Sequence, residues 1–269
     1  MRAFLLFLAL LGTGCGWIAD VTRAPAQAVG NLLLSQEQEA ALGNQLATQI
    51  RQQEQVAPEP QAQQCIDRIG RTLLAELGDE PQFDYTFTVL EGPDVVNAFA
   101  IPGGHIYVYS GLVLAAEDES ELASVLGHEI GHVKAGHVSD QLAAELGLQT
   151  LGALALGNNP GMVAQLATGI AAQGYLAAYS RDAEEEADTI GLRLLTGAGY
   201  DPHGMVRFFR ELEEIQGSNP NFVEAFFATH PAPGARADRL ARLIDDRGYA
   251  TGGSEAVGCF DEAKDRLAP

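Results

Sequence analysis

The stretch His128-Glu129-Ile130-Gly131-His132 carries more information about fold and chemistry than any other part of this 269-residue chain. Residues four apart lie on one face of a helix, so both imidazoles can reach one metal ion while Glu129 lies beside it. Apolar residues recur every three or four positions over residues 117–138, which predicts the amphipathic helix that this geometry requires. The pattern is typical of a zinc hydrolase with Glu129 as general base.

A third zinc ligand is predicted on a later helix, which begins near Ser180. Glu184 and Asp188 lie one turn apart on the same face of this helix. Glu184 can supply the third bond to zinc, and Asp188 can accept a proton from the distal nitrogen of a ligating histidine. Arg181 either pairs with an acidic group of the site or stabilises the helix end. Three protein ligands for one ion leave a position for water, as in catalytic zinc sites.

Composition limits the classes of partner. The chain carries 36 acidic and 16 basic residues, for a formal charge of -20. This charge would repel the phosphates of nucleic acid and offers no basic patch to a membrane surface. The charge therefore argues against a nucleic-acid partner.

The amino terminus has the layout of a secretory leader. Arg2 precedes an apolar run over residues 3–11, which is short for a membrane span. Cleavage after Gly14 would leave Cys15 as a lipidated first residue, whereas cleavage after Ala28 would give a soluble mature form, and both alternatives stay open. Residues 1–28 are therefore predicted to be a leader, and the protein to be exported to the periplasm, either free or anchored by a lipid.

The remaining two cysteines, Cys65 and Cys259, are expected to form a disulfide, because an exported protein folds where such bonds persist. The alternative is a pair of buried thiols.

The pattern of the rest of the chain predicts one α+β domain over residues 35–269, mainly helical with a small sheet beside the zinc helix. Period-two alternation predicts a strand over residues 83–90, and a Pro-Gly-Gly turn predicts a hairpin of residues 95–101 and 105–110. Helices are predicted over residues 35–55, 60–77, 182–196, 202–216 and 235–246. Residues 142–179 are expected to form two helices joined by a loop, with a membrane-embedded hairpin as the alternative.

These motifs together resemble the HtpX-like and CAAX-prenyl-protease family of zinc metallopeptidases, known as gluzincins. The pattern Ser180-Arg181-x-x-Glu184-x-x-Ala187-Asp188-x-x-Gly191 follows HExxH as in that family. Other matching stretches are Asn97-Ala98-Phe99, Pro102-Gly103-Gly104, Ser110-Gly111-Leu112, and Thr229-His230-Pro231 with Arg236 behind it. The resemblance covers about residues 35–246 and is greatest to the small periplasmic branch of the BepA and LoiP type. It implies a mainly helical zincin-type domain and a zinc endopeptidase acting in envelope protein quality control.

The oxyanion donor, the role of His230 and the substrate-binding strand are hypotheses. His230 or Arg236 is a candidate donor to the oxyanion of the transition state, and His230 can alternatively occupy the fourth zinc position as a latch or simply pack locally. An edge strand, either residues 97–101 with Asn97, Ala98 and Phe99 or residues 105–110, is expected to hold an extended substrate.

The remaining histidines are expected to be ordinary. His137 is predicted to point away from the ligand face and to have a structural role, whereas His105 and His203 are predicted to lie at the surface.

The alternatives to an endopeptidase are a catalytically silent chaperone or binding module of the envelope and a protein with a purely structural zinc. The intact Glu129 disfavours the silent module, because a non-catalytic protein has no use for the base. No further cysteine or histidine lies at the spacing of a structural site.

Overall fold

A computed structural model describes residues 34–173, 178–231, 233–250 and 257–268 of the chain. These ranges are mainly helical and include a three-stranded mixed sheet. The predicted α+β class is therefore confirmed. The predicted leader over residues 1–28, with Cys15, lies outside the described residues.

The two helices predicted near the start of the domain are present. Helix α1 spans Gln36–Gln53 and begins at a capping box, in which the Ser35 hydroxyl accepts from the Gln38 amide. Helix α2 spans Pro60–Leu74 and so ends three residues before the predicted end. Its apolar face packs into the core, as its period predicts.

The sheet consists of β1 at Thr86–Leu90, β2 at Ala98–Ile101 and β3 at His105–Tyr109. Strand β3 lies in the centre, parallel to β1 and antiparallel to β2. The predicted hairpin joins β2 to β3 through a turn at Pro102–Gly104, where Gly103 has a φ of 80° that favours glycine.

This strand order decides between the two candidate substrate strands. Residues 105–110 cannot offer a free edge, because β3 is hydrogen-bonded on both sides. Of the two candidates, only β2 lies at an edge of the described sheet. The central position of β3 also makes the surface expectation for His105 wrong: its ring is buried, with Nδ1 2.8 Å from Oγ1 of Thr86.

The short helix α3 at Ser110–Ala115 leads into α4 at Glu119–Ala135, the helix that carries HExxH. The Asp118 carboxylate caps α4 by accepting from the Glu121 amide at 2.9 Å. Gly136, with a φ of 80°, ends the helix in the left-handed conformation. The predicted helix was therefore correct in type but began two residues too early and ended three residues too late.

The segment after α4 contains three helices where two were predicted: α5 at His137–Leu146, α6 at Leu148–Ala155 and α7 at Pro160–Gln173. Gly147, with a φ of 73°, separates α5 from α6, so the apolar run does not continue as one helix. In the described ranges no helix has both the length and the hydropathy that crossing a membrane requires.

Five further helices complete the described part of the fold: α8 at Arg181–Gly197, α9 at His203–Ser218, α10 at Pro220–Thr229, α11 at Pro233–Arg247 and α12 at Phe260–Leu267. Helices α10 and α12 were not predicted, since each is short. A proline at the first position of α10 was the available signal.

Glycines allow α4 and α8 to approach closely. A Cβ at Gly131 would lie 2.7 Å from the Ala187 carbonyl oxygen, and one at Gly191 would lie 3.0 Å from the His128 amide nitrogen. Side chains at these positions would force the helices apart. The glycine inside HExxH therefore brings the zinc helix within reach of Glu184.

The sheet separates two apolar clusters. The larger cluster lies between α2, α4, α8, α9 and α11, against the face of the sheet that carries Phe87, Ile106 and Val108. The smaller cluster fills the space between α1, α5, α6 and α7 and the opposite face, which carries Phe99 and Tyr107. The predicted metal ligands His128, His132 and Glu184 are buried, so the site lies inside the packed core.

The predicted pair Cys65 and Cys259 is joined as a disulfide, with the Cα atoms 5.6 Å apart. The bond connects α2 to the residue that precedes α12. It therefore fixes the C-terminal helix to the larger core cluster.

Candidate metal centre

Four buried side chains, those of His128, His132, Glu184 and His230, form one cluster of metal-ligand atoms. One nitrogen or carboxylate oxygen from each lies within 4.8 Å of the corresponding atoms of the others. Two imidazoles from one helix, a carboxylate from a second and a third imidazole from a loop form the mixed donor set that suits zinc. The structure thus brings together all three predicted ligands and adds His230.

The His128 ring is held between the cluster and α8. Its Nε2 lies 3.0 Å from Nε2 of His132, and its Nδ1 lies 3.1 Å from Oδ1 of Asp188. The Asp188 carboxylate at this position would favour the tautomer with the proton on Nδ1 and leave Nε2 able to bind a metal ion. The histidine that Asp188 contacts is therefore His128, whereas the sequence had left open which ligating histidine it would support.

His137 holds the second ring, contrary to the prediction that it points away. Its Nδ1 lies 3.1 Å from Nδ1 of His132, and its Nε2 lies 3.5 Å from a Glu186 oxygen. The prediction assumed one continuous helix through residue 137. Because the left-handed Gly136 reverses the chain, the five-residue spacing no longer fixes the direction of His137.

Arg236 occupies a different place from that of an oxyanion donor. Its Nε donates to Oδ2 of Asp188 at 3.0 Å, and its Nη1 forms a close ion pair with Glu184. The guanidinium is 5% exposed and lies 4.4 Å from the ring centre of Phe209. The candidate transition-state role is therefore corrected: Arg236 orients the two carboxylates of α8 from behind the ligand cluster.

Glu129 and His230 are both buried and lie together on the side of the cluster that lines a cleft beside β2. His230 Nδ1 is 3.0 Å from Oε1 of Glu184 and 3.2 Å from Nε2 of His128, while its Nε2 is 3.5 Å from Oε1 of Glu129. Both Glu129 oxygens are buried and lack a hydrogen-bond partner among the described residues. Such an orphaned carboxylate beside a metal-ligand set is suited to accept a proton from water.

Tyr179 is a site residue that the sequence analysis missed. Its ring stacks on His132, with 3.8 Å between ring centres and 18° between planes. Its amide donates to the Thr229 carbonyl oxygen at 3.1 Å, which joins the segment before α8 to the segment that carries His230. Its position directly before the Ser180-Arg181 motif was the only available signal.

Burial and charge act in opposite directions within the cluster. Burial holds the pKa of His132 well below its ordinary value, which keeps the imidazole neutral and able to bind metal. Burial alone would raise the pKa of Glu184, but the nearby His230 and the hydrogen bond from His132 hold it well below the usual range. Asp188 behaves in the same way, because the Arg236 guanidinium outweighs its burial and lowers its pKa.

A cleft leads from the edge strand to these two residues. It is lined by Phe99, Ala100 and Ile101 of β2, by Leu142 of α5, and by Glu129 and His230. Ala98 and Phe99 are buried, and both side-chain atoms of Asn97 are buried without a partner in the described part of the chain. The edge of β2 and the Glu129 carboxylate thus line one cleft, which has an apolar wall.

The sequence model of Peptidase family M48 matches residues 60–244, a range that contains the whole ligand cluster and Glu129. The chain belongs to peptidase family M48. The resemblance inferred from the motifs is therefore confirmed, and so is zinc as the metal that suits the site.

Two classes of relative are similar to this M48 chain. The beta-barrel assembly-enhancing protease of Yersinia pestis is 32% identical over 82% of this chain and 47% of its own length. The protein of the same name from Escherichia coli K12 is 30% identical over 87% of this chain and 51% of its own length. The mitochondrial metalloendopeptidase OMA1 of Schizosaccharomyces pombe is 30% identical over 73% of this chain and 56% of its own length. The chain thus spans about half the length of these curated relatives.

Proposed function

We propose that this M48 chain is a zinc-dependent endopeptidase that hydrolyses peptide bonds of unfolded or misassembled envelope proteins. The main support for the proposal is the Glu129 carboxylate beside the cluster of His128, His132 and Glu184. Both of its oxygens are buried and have no hydrogen-bond partner among the described residues. A site that only stores metal or only binds a partner does not require a base at this position.

The chemistry of each residue follows from its contacts. His128, His132 and Glu184 would hold the zinc ion, which would supply a Lewis acid to polarise the scissile carbonyl and to lower the pKa of the attacking water. Glu129 takes the proton of the attacking water and delivers it to the leaving amine nitrogen. Asp188 contacts His128 and Arg236 contacts Glu184, and these contacts hold the two side chains in fixed orientations during the reaction.

Substrate recognition is proposed to occur along β2. An extended chain can add to the free edge of β2 through backbone hydrogen bonds, and such pairing needs little side-chain selectivity. The cleft from Phe99 to Glu129 supports this location. We therefore expect unfolded casein to be cut, and a stabilised folded variant of a test protein to be cut far more slowly than its destabilised form. Equal rates for the two forms would contradict edge-strand recognition.

His230 is proposed to be a latch rather than a local packing residue. Its Nδ1 belongs to the ligand-atom cluster, and it is held by Glu184 at 3.0 Å. With zinc bound, the imidazole would compete with water for a ligand position, and substrate would have to displace the loop before cleavage begins. The alternative role as transition-state donor places the same ring beside the substrate after that displacement.

The zinc and cleavage proposals can be tested together with purified protein. We expect about one zinc per chain by elemental analysis and casein cleavage that a chelator abolishes and zinc restores. Bound zinc with no cleavage, in a protein that still holds unfolded casein, would favour the silent chaperone. Zinc that a chelator removes only on unfolding would favour a structural site.

Location in the periplasm and a lipid on Cys15 are part of the proposal. They rest on the leader pattern of residues 1–28 and on relatives named for beta-barrel assembly. Mass spectrometry of the mature amino terminus distinguishes a diacylglyceryl-modified Cys15 from an unmodified residue after Ala28.

A further inference from the structure

A second cavity, separate from the cleft of Glu129, adjoins the metal-ligand cluster. It has a volume of about 440 Å³, and four of the residues that line it are arginines: Arg181, Arg236, Arg239 and Arg242. The ligand Glu184 and its neighbour Glu185 also line it. One basic cavity therefore reaches the metal site from the surfaces of α8 and α11.

Such a concentration of positive charge is unexpected in this chain. The whole sequence has only 16 basic residues against 36 acidic ones, yet four of the 16 surround this single cavity. The remaining surface repels anions, and the screening length of about 8 Å at physiological salt keeps the arginine field local. Because Arg236 and Arg239 are paired with carboxylates, the charges of Arg181 and Arg242 are the ones left to attract an anion.

The four arginines differ in how fully their donors are used. Arg236 is buried and satisfied by Asp188 and Glu184. Arg239 donates through Nη2 to Asp188 at 3.2 Å and to the Glu185 carbonyl at 3.0 Å. Its Nε is buried with no acceptor among the described residues. Arg239 therefore keeps one buried donor unused beside the cavity, while its Nη2 is occupied by Asp188 and Glu185.

Arg181 and Arg242 supply the outer part of the cavity. Both are exposed, and neither has an ion pair within 4.0 Å in the described ranges. Arg181 begins α8 and Arg242 lies on α11, so two separate helices present them across one space. Guanidinium groups in such a pair can bind both oxygens of a carboxylate.

The loop at His230-Pro231 separates this cavity from the cleft. His230 lines the cleft and Pro231 lines the arginine cavity, while Glu129 and Glu184 mark the two sides of the metal-ligand set. The cleft and the arginine cavity therefore approach each other at two consecutive residues of this loop.

We propose that the arginine cavity binds a carboxylate of the substrate, supplied either by an Asp or Glu side chain near the scissile bond or by the chain's own C-terminus. The proposal rests on the proposed peptidase function, because it assumes that a peptide crosses the metal site. It makes the enzyme selective for acidic segments or for carboxyl-terminal ends, in addition to unfolded structure. Arg181 and Arg242 make the first contact, and Arg239 completes the site.

The test measures binding separately from cleavage. Fluorescein-labelled peptides from casein are made in four forms: with Asp and Glu retained or replaced by Asn and Gln, each with a free or amidated C-terminus. Their affinities are measured by fluorescence anisotropy with the zinc-loaded Glu129→Gln protein, alone and with Arg181→Gln/Arg242→Gln. The control pair Arg193→Gln/Arg247→Gln removes the same charge from exposed positions on the same two helices.

We expect the favoured carboxylate form to bind about tenfold more tightly than its neutral counterpart, equivalent to about 1.4 kcal/mol. The ratio should fall to about one in Arg181→Gln/Arg242→Gln and persist in the control pair. Loss of affinity on C-terminal amidation assigns the site to the terminal carboxylate, and loss on side-chain neutralisation assigns it to Asp and Glu.

Equal affinities for all four forms, or an acid preference that survives Arg181→Gln/Arg242→Gln, would overturn the proposal. Cleavage of the unlabelled peptides by the protein with Glu129 intact is followed in parallel. Acid-dependent binding without any cleavage would count against the peptidase function alone, whereas cleavage of acidic and neutral peptides at equal kcat/KM would count against the cavity alone.

Discussion

The Asp188 carboxylate lies 3.1 Å from Nδ1 of His128, on the side of the ring away from the metal-ligand cluster. The same carboxylate accepts from Arg236, so one buried side chain connects the zinc helix, α8 and α11. The contact fixes the imidazole as a donor at Nδ1 and a ligand at Nε2.

Asp188→Asn should weaken zinc binding by about 10-fold to 100-fold, because the neutral amide no longer supports the His128 tautomer. Competition with a chromophoric chelator measures this affinity on protein whose folding has been verified by circular dichroism. Asp182→Asn, at an exposed position in the first turn of the same helix, serves as the control. Unchanged zinc affinity in Asp188→Asn would remove the residue from the metal site.

Glu129→Gln should retain one zinc per chain and lose about 10²-fold to 10⁴-fold in the rate of casein cleavage, since the amide cannot accept a proton. Metal content and kcat are measured on the same preparation. The exposed Glu117→Gln, just before the zinc helix, provides a matched loss of charge. Near-normal kcat in Glu129→Gln would rule out the residue as the base.

His230→Ala should raise the rate of casein cleavage severalfold and make zinc easier to extract, because the imidazole leaves the ligand cluster and opens the coordination position. Cleavage rates and the rate of zinc transfer to a chelator are compared with those of His203→Ala, a partly exposed histidine at the start of α9. A loss of about 100-fold or more would instead assign His230 to the transition state.

The spacing of the residues predicted the metal-ligand set, because the spacing of two residues on a helix determines whether their side chains point to the same side. His128 and His132 share a face by their separation of four, and so do Glu184 and Asp188, and glycines at the contact bring the two helices together. These relationships are local in the sequence, except for the packing of α4 against α8.

The residues misjudged from the sequence depend on how distant segments pack. His137 faces His132 because the chain reverses at Gly136, and Tyr179 reaches the same ring through a backbone bond to Thr229. The sequence motifs placed Arg236 near the metal site but did not indicate its contacts. Only the structure shows that Asp188 and Glu184 occupy its donors. Periodicity carries no information about such contacts.

Cys65→Ala/Cys259→Ala should lower the free energy of unfolding by about 2 to 5 kcal/mol, because the bond constrains a segment of 194 residues in the unfolded chain. Guanidinium unfolding of zinc-loaded protein gives the difference, and the parent protein under reducing conditions should show the same decrease. An unchanged midpoint in both cases would show that the bond does not contribute to stability.

Glu211 provides a prediction that does not involve the metal. Its pKa is raised to about 7 by burial and by the nearby carboxylates of Glu121 and Glu117, and its Oε2 is buried without a partner in the described ranges. Below its ordinary value of 4.5 the group is protonated in both folded and unfolded states. Between that pH and about 7 the unfolded state loses the proton first, so the free energy of unfolding falls as pH rises.

Glu211→Gln should therefore leave stability near pH 4 almost unchanged and raise it by on the order of 2 kcal/mol at pH 8, with partial solvation limiting the gain. Denaturant unfolding of parent and variant across this pH range, at fixed zinc, isolates the contribution of one group. Glu224→Gln, at an exposed position, is the control for loss of a negative charge. A variant that gains as much stability at pH 4 as at pH 8 would contradict the raised pKa, because the gain would then come from packing and not from the cost of ionising Glu211.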